Sequence, residues 1–179
     1  MIYIFLAEGF EEIEALCPLD IIRRASLPVT TVGVGGEYVT GAHGITVKAD
    51  MTIDEYDGSD AQMVFLPGGM PGTLNLAACD TVIKAVETAV KNEIYVTAIC
   101  AAPSILGDMG LLGGKEAICY PGFEDRLKGA KISSQRVVQY GKIITAAGMG
   151  VALDLGLKIV EIFCGSDKAD SLKKAVIYD

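Results

Sequence analysis

Histidine is almost missing from this chain of 179 residues, which has one, at position 43, and its five cysteines include no CxxC pair. A structural zinc site built on Cys and His is therefore not expected, and no metal is assigned. Cys17, Cys79, Cys100, Cys119 and Cys164 are odd in number and dispersed, which favours free thiols over a disulfide framework. Positive charge is scarce as well: 15 Lys and Arg stand against 23 Asp and Glu, for a formal net charge of −8. The short basic pairs Arg23-Arg24 and Lys173-Lys174 look like solvated helix faces, so nucleic acid is excluded as a main partner. No apolar run is long enough to span a bilayer. Met1 leads directly into IYIFLA, which is too short for a secretory signal and lacks a basic leader, so a cytoplasmic protein away from membranes is expected. Repeats, linkers and low-complexity segments are lacking too, so one domain over residues 1–179 is expected.

What is present is an apolar chain, 51% hydrophobic and 21% charged, long enough to bury a substantial core. Short β-branched runs (Ile2–Ala7, Val29–Val34, Gln62–Leu66, Ile94–Ile99) alternate with segments of helical spacing (Glu11–Ala25, Asp80–Lys91, Ser104–Leu112, Val151–Phe163). A hairpin is read through Tyr38-Val39 and Ile45–Val47, and another at a sheet edge through Val137–Tyr140 and Ile143–Ala146. Ala117–Tyr120 reads as a further strand, Lys168–Tyr178 as a short terminal helix, and Pro18 as a bend or delay in the first helix. Strands alternating with helices imply an α/β fold, with a mostly parallel sheet covered on both faces.

Three loops of small residues follow strands: Gly68–Gly72, Cys100–Ala102 and Gly148–Gly150. In a doubly wound fold such loops converge at one carboxyl edge, where ligands bind. The run IYVTAICAAPSIL places Cys100 at a strand-to-helix turn, with Ala98, Ala101 and Ala102 small enough for a nucleophile-elbow reversal. A helix N-terminus there would favour thiolate over thiol; the competing reading is a small buried hydrophobe. The Gly68–Gly72 loop reads equally as an anion cradle or as a plain connection. Glu14, taken alone, is an acidic residue in a helix's first turn, and Tyr120 is a packing residue or a hydrogen-bond donor. His43, in GAHG, reads as a solvated turn residue and is not assigned a catalytic role.

Four motifs, AEGFEEIE, LPGGMPGTLNL, AICAAP and GMGVALDLGLKIVE, stand in order over nearly the whole length and resemble the ThiJ/PfpI superfamily in its DJ-1-like branch. The resemblance implies a flavodoxin-like three-layer sandwich related to class I glutamine amidotransferase domains, assembled as a homodimer through the first helix. It implies Cys100 as the reactive cysteine and Glu14 as the acid that hydrogen-bonds its sulfur. Backbone groups at Gly68, Gly69 and Ala101 would form the oxyanion or substrate pocket, with Gly148 and Tyr120 completing its wall. Many members carry a histidine where this chain has Tyr120, which weakens a Cys–His dyad and with it a peptidase or amidohydrolase activity. The implied function is a glyoxalase or deglycase that needs no cofactor and acts on methylglyoxal-type dicarbonyls or their glycated adducts. The alternative is a redox-sensing, stress-response or chaperone-like protein with an oxidisable Cys100.

Overall fold

The computed structural model describes residues 1–178. Eleven strands follow in chain order: β1 (Ile2–Ala7), β2 (Val29–Val34), β3 (Tyr38–Thr40), β4 (Thr46–Lys48), β5 (Met51–Thr52), β6 (Met63–Leu66), β7 (Tyr95–Ile99), β8 (Glu116–Ala117), β9 (Lys131–Ile132), β10 (Val137–Tyr140) and β11 (Ile143–Ala146). The helices are α1 (Glu12–Arg24), α2 (Gly72–Ala77), α3 (Asp80–Lys91), α4 (Pro103–Asp108), α5 (Ala152–Cys164) and α6 (Ser166–Ala175). Seven strands form the central sheet in the order β10-β11-β7-β6-β1-β2-β5. All neighbours pair in parallel except β10 with β11.

Every residue of β1 is buried, as a central parallel strand covered on both faces requires. Its side chains alternate between two cores. Tyr3, Phe5 and Ala7 pack with Leu76, Val82, Val86, Ile105 and Leu106 beneath α2, α3 and α4. Ile2, Ile4 and Leu6 pack with Ala15, Leu19, Ile22, Leu155 and Ile159 beneath α1 and α5. Gly156 lets α5 approach α1 closely: a Cβ there would lie 3.1 Å from both the Ile21 Cβ and the Pro18 Cα. This is the flavodoxin-like layering of helix, parallel sheet and helix. Among the described residues, no helix is long and apolar enough to cross a membrane.

The structure departs from the sequence expectations in several places. The helix expected over Ser104–Leu112 starts at Pro103 and ends at Asp108, because Gly110 turns the chain left-handed (φ +74°). The strand expected over Ala117–Tyr120 is only Glu116–Ala117. Beyond it the Ile118 amide donates to Thr145 Oγ1 and the Tyr120 amide donates to the Cys100 carbonyl, so the chain folds over the sheet edge instead of extending it. Pro18 does not delay α1, which begins at Glu12 and runs through it. The edge strand β5 and the short helix α2 had not been expected.

Candidate functional site

The order of the sheet reverses beside β1: the chain passes from β1 outward to β2, then returns to the other side as β6. Ligands of open α/β sheets bind in the crevice at the carboxyl ends next to such a reversal. Loops leaving β1, β6, β7 and β11 meet there around a cleft of about 370 Å³. Its lining includes Glu11, Glu14, Gly69, Met70, Cys100, Ala101, Tyr120 and Met149.

Cys100 ends β7 in the left-handed region, at φ +63°. For a non-glycine residue that conformation costs about 1–2 kcal/mol, and it persists only where the surroundings fix it. Here the fixing bonds are visible: the Cys100 amide donates to the Ala146 carbonyl at 2.9 Å, and its own carbonyl accepts from Tyr120 at 2.8 Å. The strained turn leaves the side chain partly buried at the floor of the cleft. The backbone amides of Gly69 and Ala101 lie near the sulfur and favour its anionic form. Gly69 turns left-handed (φ +92°) against the backbone of Gly9–Glu11, a position with no room for a side chain. Anion stabilisation at the sulfur comes from these two amides and not from a following helix, since α4 begins three residues later and is only six residues long.

Glu14 sits in the first turn of α1 and is 1% exposed. The Gly68 amide donates to its Oε2 at 3.0 Å, and the Cys100 side chain and the Met149 amide lie near the carboxyl and favour its charged form. Burial dominates over these bonds and raises the carboxyl to about 7. Burial also pushes the Cys100 thiol up to about 12; the charge of Glu14 adds to that push, and the Ala101 and Gly69 amides oppose it. The two groups titrate as a pair that carries one negative charge between those values. With the proton on the sulfur the charge lies on Glu14. With the proton on Glu14 the repulsion vanishes, and the carboxyl O–H donates to a thiolate already flanked by two amides.

The raised Glu14 has a consequence for stability. A carboxyl that ordinarily titrates near 4.5 and titrates near 7 when folded binds its proton more tightly in the folded state, so folding is favoured at low pH and loses that advantage as pH rises from about 4.5 to about 7. The shift corresponds to about 3 kcal/mol. Urea unfolding of the wild type and Glu14→Gln at pH 5 and pH 8 should show the wild type losing about that much more than the variant. Equal pH dependence would place the Glu14 charge outside the protein interior.

Gly68 passes between the two groups. A Cβ there would stand 2.5 Å from Glu14 Oε2 and 2.6 Å from the Cys100 Cβ. Gly148 has the Tyr120 ring beside it, at 3.3 Å from a Cβ placed there, and Tyr120 is half-exposed in the cleft wall. Gly68, Gly69, Ala101, Tyr120, Gly148, Glu14 and Cys100 thus gather at one carboxyl edge. Two participants went unread in the sequence: the Met149 amide, whose only signal was its place inside GMG, and Glu11 at the mouth. His43 is largely exposed, as expected of a turn residue, but it also lines the mouth, with its Nδ1 2.9 Å from Glu12 Oε2.

Known proteins resemble this chain over most of its length. The DJ-1/PfpI family model matches residues 1–162. The chain is 34% identical over 174 residues to Protein DJ-1 homolog A of Arabidopsis thaliana; that match covers 96% of this chain and 44% of the plant protein, so the chain spans less than half of that relative's length. It is 32% identical over 169 residues to the Glutathione-independent glyoxalase DJR-1.2 of Caenorhabditis elegans, covering 93% of this chain and 90% of the nematode protein. Among solved structures, oxidized Toxoplasma gondii DJ-1 superposes with a TM-score of 0.94 at 30% identity, covering 99% of this chain and 97% of that one. The fold, the sheet order and the extent of these matches lead to one conclusion: the chain belongs to the DJ-1/PfpI family.

Proposed function

We propose that the chain is a cysteine-dependent enzyme that converts methylglyoxal-type dicarbonyls to hydroxy acids without a cofactor, with Cys100 as nucleophile and Glu14 as acid and base. The observation that carries this reading is the pair itself: a sulfur on a strained turn, two amides near it, and a buried carboxyl beside it that titrates near neutrality. The thiolate adds to the aldehyde carbon of methylglyoxal, and the carbonyl oxygen takes up a proton to give a hemithioacetal. Glu14, as carboxylate, removes the proton from that carbon, and the resulting enediol is reprotonated on the neighbouring carbon, leaving a thioester of lactate. Water then cleaves the thioester, releasing lactate and restoring the thiolate, so no oxidant or reductant is consumed. The amides of Gly69 and Ala101 stand where oxyanion charge develops. The name of the nematode relative supports the reading. A glycated adduct of the same dicarbonyls first expels its amine or thiol from the former aldehyde carbon, and the freed dicarbonyl then enters the scheme by the same addition, which makes deglycase activity its variant. Dimerisation through the α1 side belongs to the same proposal.

A second reading has its own support. A sulfur with two backbone amides and a carboxyl beside it is also a seat for a sulfinate, and the similar Toxoplasma gondii DJ-1 structure is of the oxidized protein. Purified protein incubated with methylglyoxal should release lactate above the uncatalysed background. A folded chain that releases none, but whose Cys100 is oxidised by mild peroxide ahead of Cys17, Cys79, Cys119 and Cys164 in peptide mass mapping, would transfer the site to redox sensing.

A further inference from the structure

Outside the sulfur–carboxyl pair, one cluster of side chains has chemistry that this function does not use. Glu11 and Glu12 open α1, and the turn between β3 and β4 brings His43 against them, 31 positions away from Glu12 in sequence. One ligand atom from each of the three residues lies within 4.8 Å of the others. We propose that Glu11, Glu12 and His43 bind a divalent transition-metal ion of the zinc type at the mouth of the cleft.

The donor set is the first argument. One imidazole nitrogen and two carboxylate oxygens suit zinc and its neighbours, and three protein ligands leave a coordination position open. Distances are the second. Nδ1 of His43 lies 2.9 Å from Glu12 Oε2 and 3.6 Å from Glu11 Oε2. With metal–ligand bonds of about 2.0–2.1 Å, those two separations subtend angles of about 90° and about 120° at a shared ion, and the Glu11 and Glu12 ligand atoms lie within 4.8 Å of each other. Charge balance is the third and is independent of both. Glu12 is 4% exposed, and its carboxyl accepts from the His43 and Ile45 amides and faces the His43 ring. Two acidic side chains therefore share one imidazole, and among the described residues neither pairs with a Lys or Arg. A divalent ion would neutralise what His43 alone leaves uncompensated.

The surroundings preorganise such a site. The His43 and Ile45 amides donate to Glu12 Oε1 at 2.8 and 3.4 Å, fixing the carboxylate with Oε2 turned toward the His43 ring. Gly41 is glycine because a Cβ would collide with the Glu12 carboxyl. Glu11 and His43 also line the cleft that holds Cys100, so a bound ion would sit at its mouth.

The test is calorimetric titration of zinc chloride into the Cys100→Ser chain near pH 7.5, which removes the competing thiolate of the cleft, with the visible spectrum of the cobalt form as a second readout. One equivalent should bind with a spectrum free of thiolate charge transfer. His43→Ala, which alters an exposed side chain, and Glu11→Gln should each weaken binding by about 10–100-fold. Undiminished affinity in His43→Ala, a thiolate spectrum, or no binding at millimolar metal would overturn the site and leave Glu12 as a clamp on the turn.

Discussion

Cys100→Ala should reduce lactate formation from methylglyoxal by at least about 10³-fold, to the rate of the buffer, because no other group in the cleft can form the covalent adduct. The loss should come without unfolding. Alanine keeps the backbone bonds from Cys100 to Ala146 and Tyr120, and it inherits the same left-handed φ of +63°. Its stability should stay close to that of the wild type. Cys100→Gly tests the strain separately: glycine adopts that conformation freely, so this variant should be equally inactive but more stable by about 1–2 kcal/mol. Paired urea denaturation and lactate assays check both statements. A Cys100→Gly chain less stable than Cys100→Ala would show that the turn is not strained as described.

Gly68→Ala should be the single added methyl group that most directly separates Glu14 from Cys100. The new Cβ would stand 2.5 Å from Glu14 Oε2, 2.6 Å from the Cys100 Cβ and 2.9 Å from the Ile99 carbonyl. Neither of the last two can yield easily, because the Ile99 carbonyl is backbone and the Cys100 backbone is pinned on both sides. The site must therefore open by a sizeable fraction of an ångström. Overpacking of this kind costs about 1–3 kcal/mol, and displacing the acid from the sulfur by about 1 Å costs about 100-fold in rate. Gly113→Ala is the control, since a Cβ there meets nothing within 4 Å and its backbone is not left-handed. It should leave both stability and rate nearly unchanged. A Gly68→Ala enzyme with wild-type kcat would mean that the Glu14–Cys100 spacing does not matter to the chemistry.

How much of this was legible in the sequence follows from what each feature depends on. β1, β2, β6, β7 and the helices α1, α3 and α5 are long enough for local periodicity to reveal them, and the Cys100 elbow shows in its small neighbours. Features that depend on distant partners were hidden. β8 stops after two residues because the Ile118 and Tyr120 amides are taken by Thr145 and Cys100. β5 is a strand only because Val32 and Gly33 pair with it. α4 stops early where Gly110 adopts a positive φ, and glycine alone does not announce which conformation it takes. The sequence suggested a thiolate stabilised by a helix N-terminus; in the structure Gly69 and Ala101 amides take that role, and burial with the Glu14 charge raises the thiol. The tie between Glu12 and His43 joins residues 31 positions apart and needed the folded hairpin to become visible.

The central claim is that Cys100 and Glu14 act as one unit on an α-oxoaldehyde, and a double-mutant cycle on lactate formation tests it most directly. With Glu14→Gln alone, kcat should fall by about 10²–10⁴-fold, the usual contribution of a positioned acid and base. Cys100→Ala alone should reach background, and the double variant should be no slower than Cys100→Ala, because the acid has nothing to act on once the sulfur is gone. Lactate formation that survives Cys100→Ala, or a Glu14→Gln enzyme within a few-fold of wild type, would contradict the account.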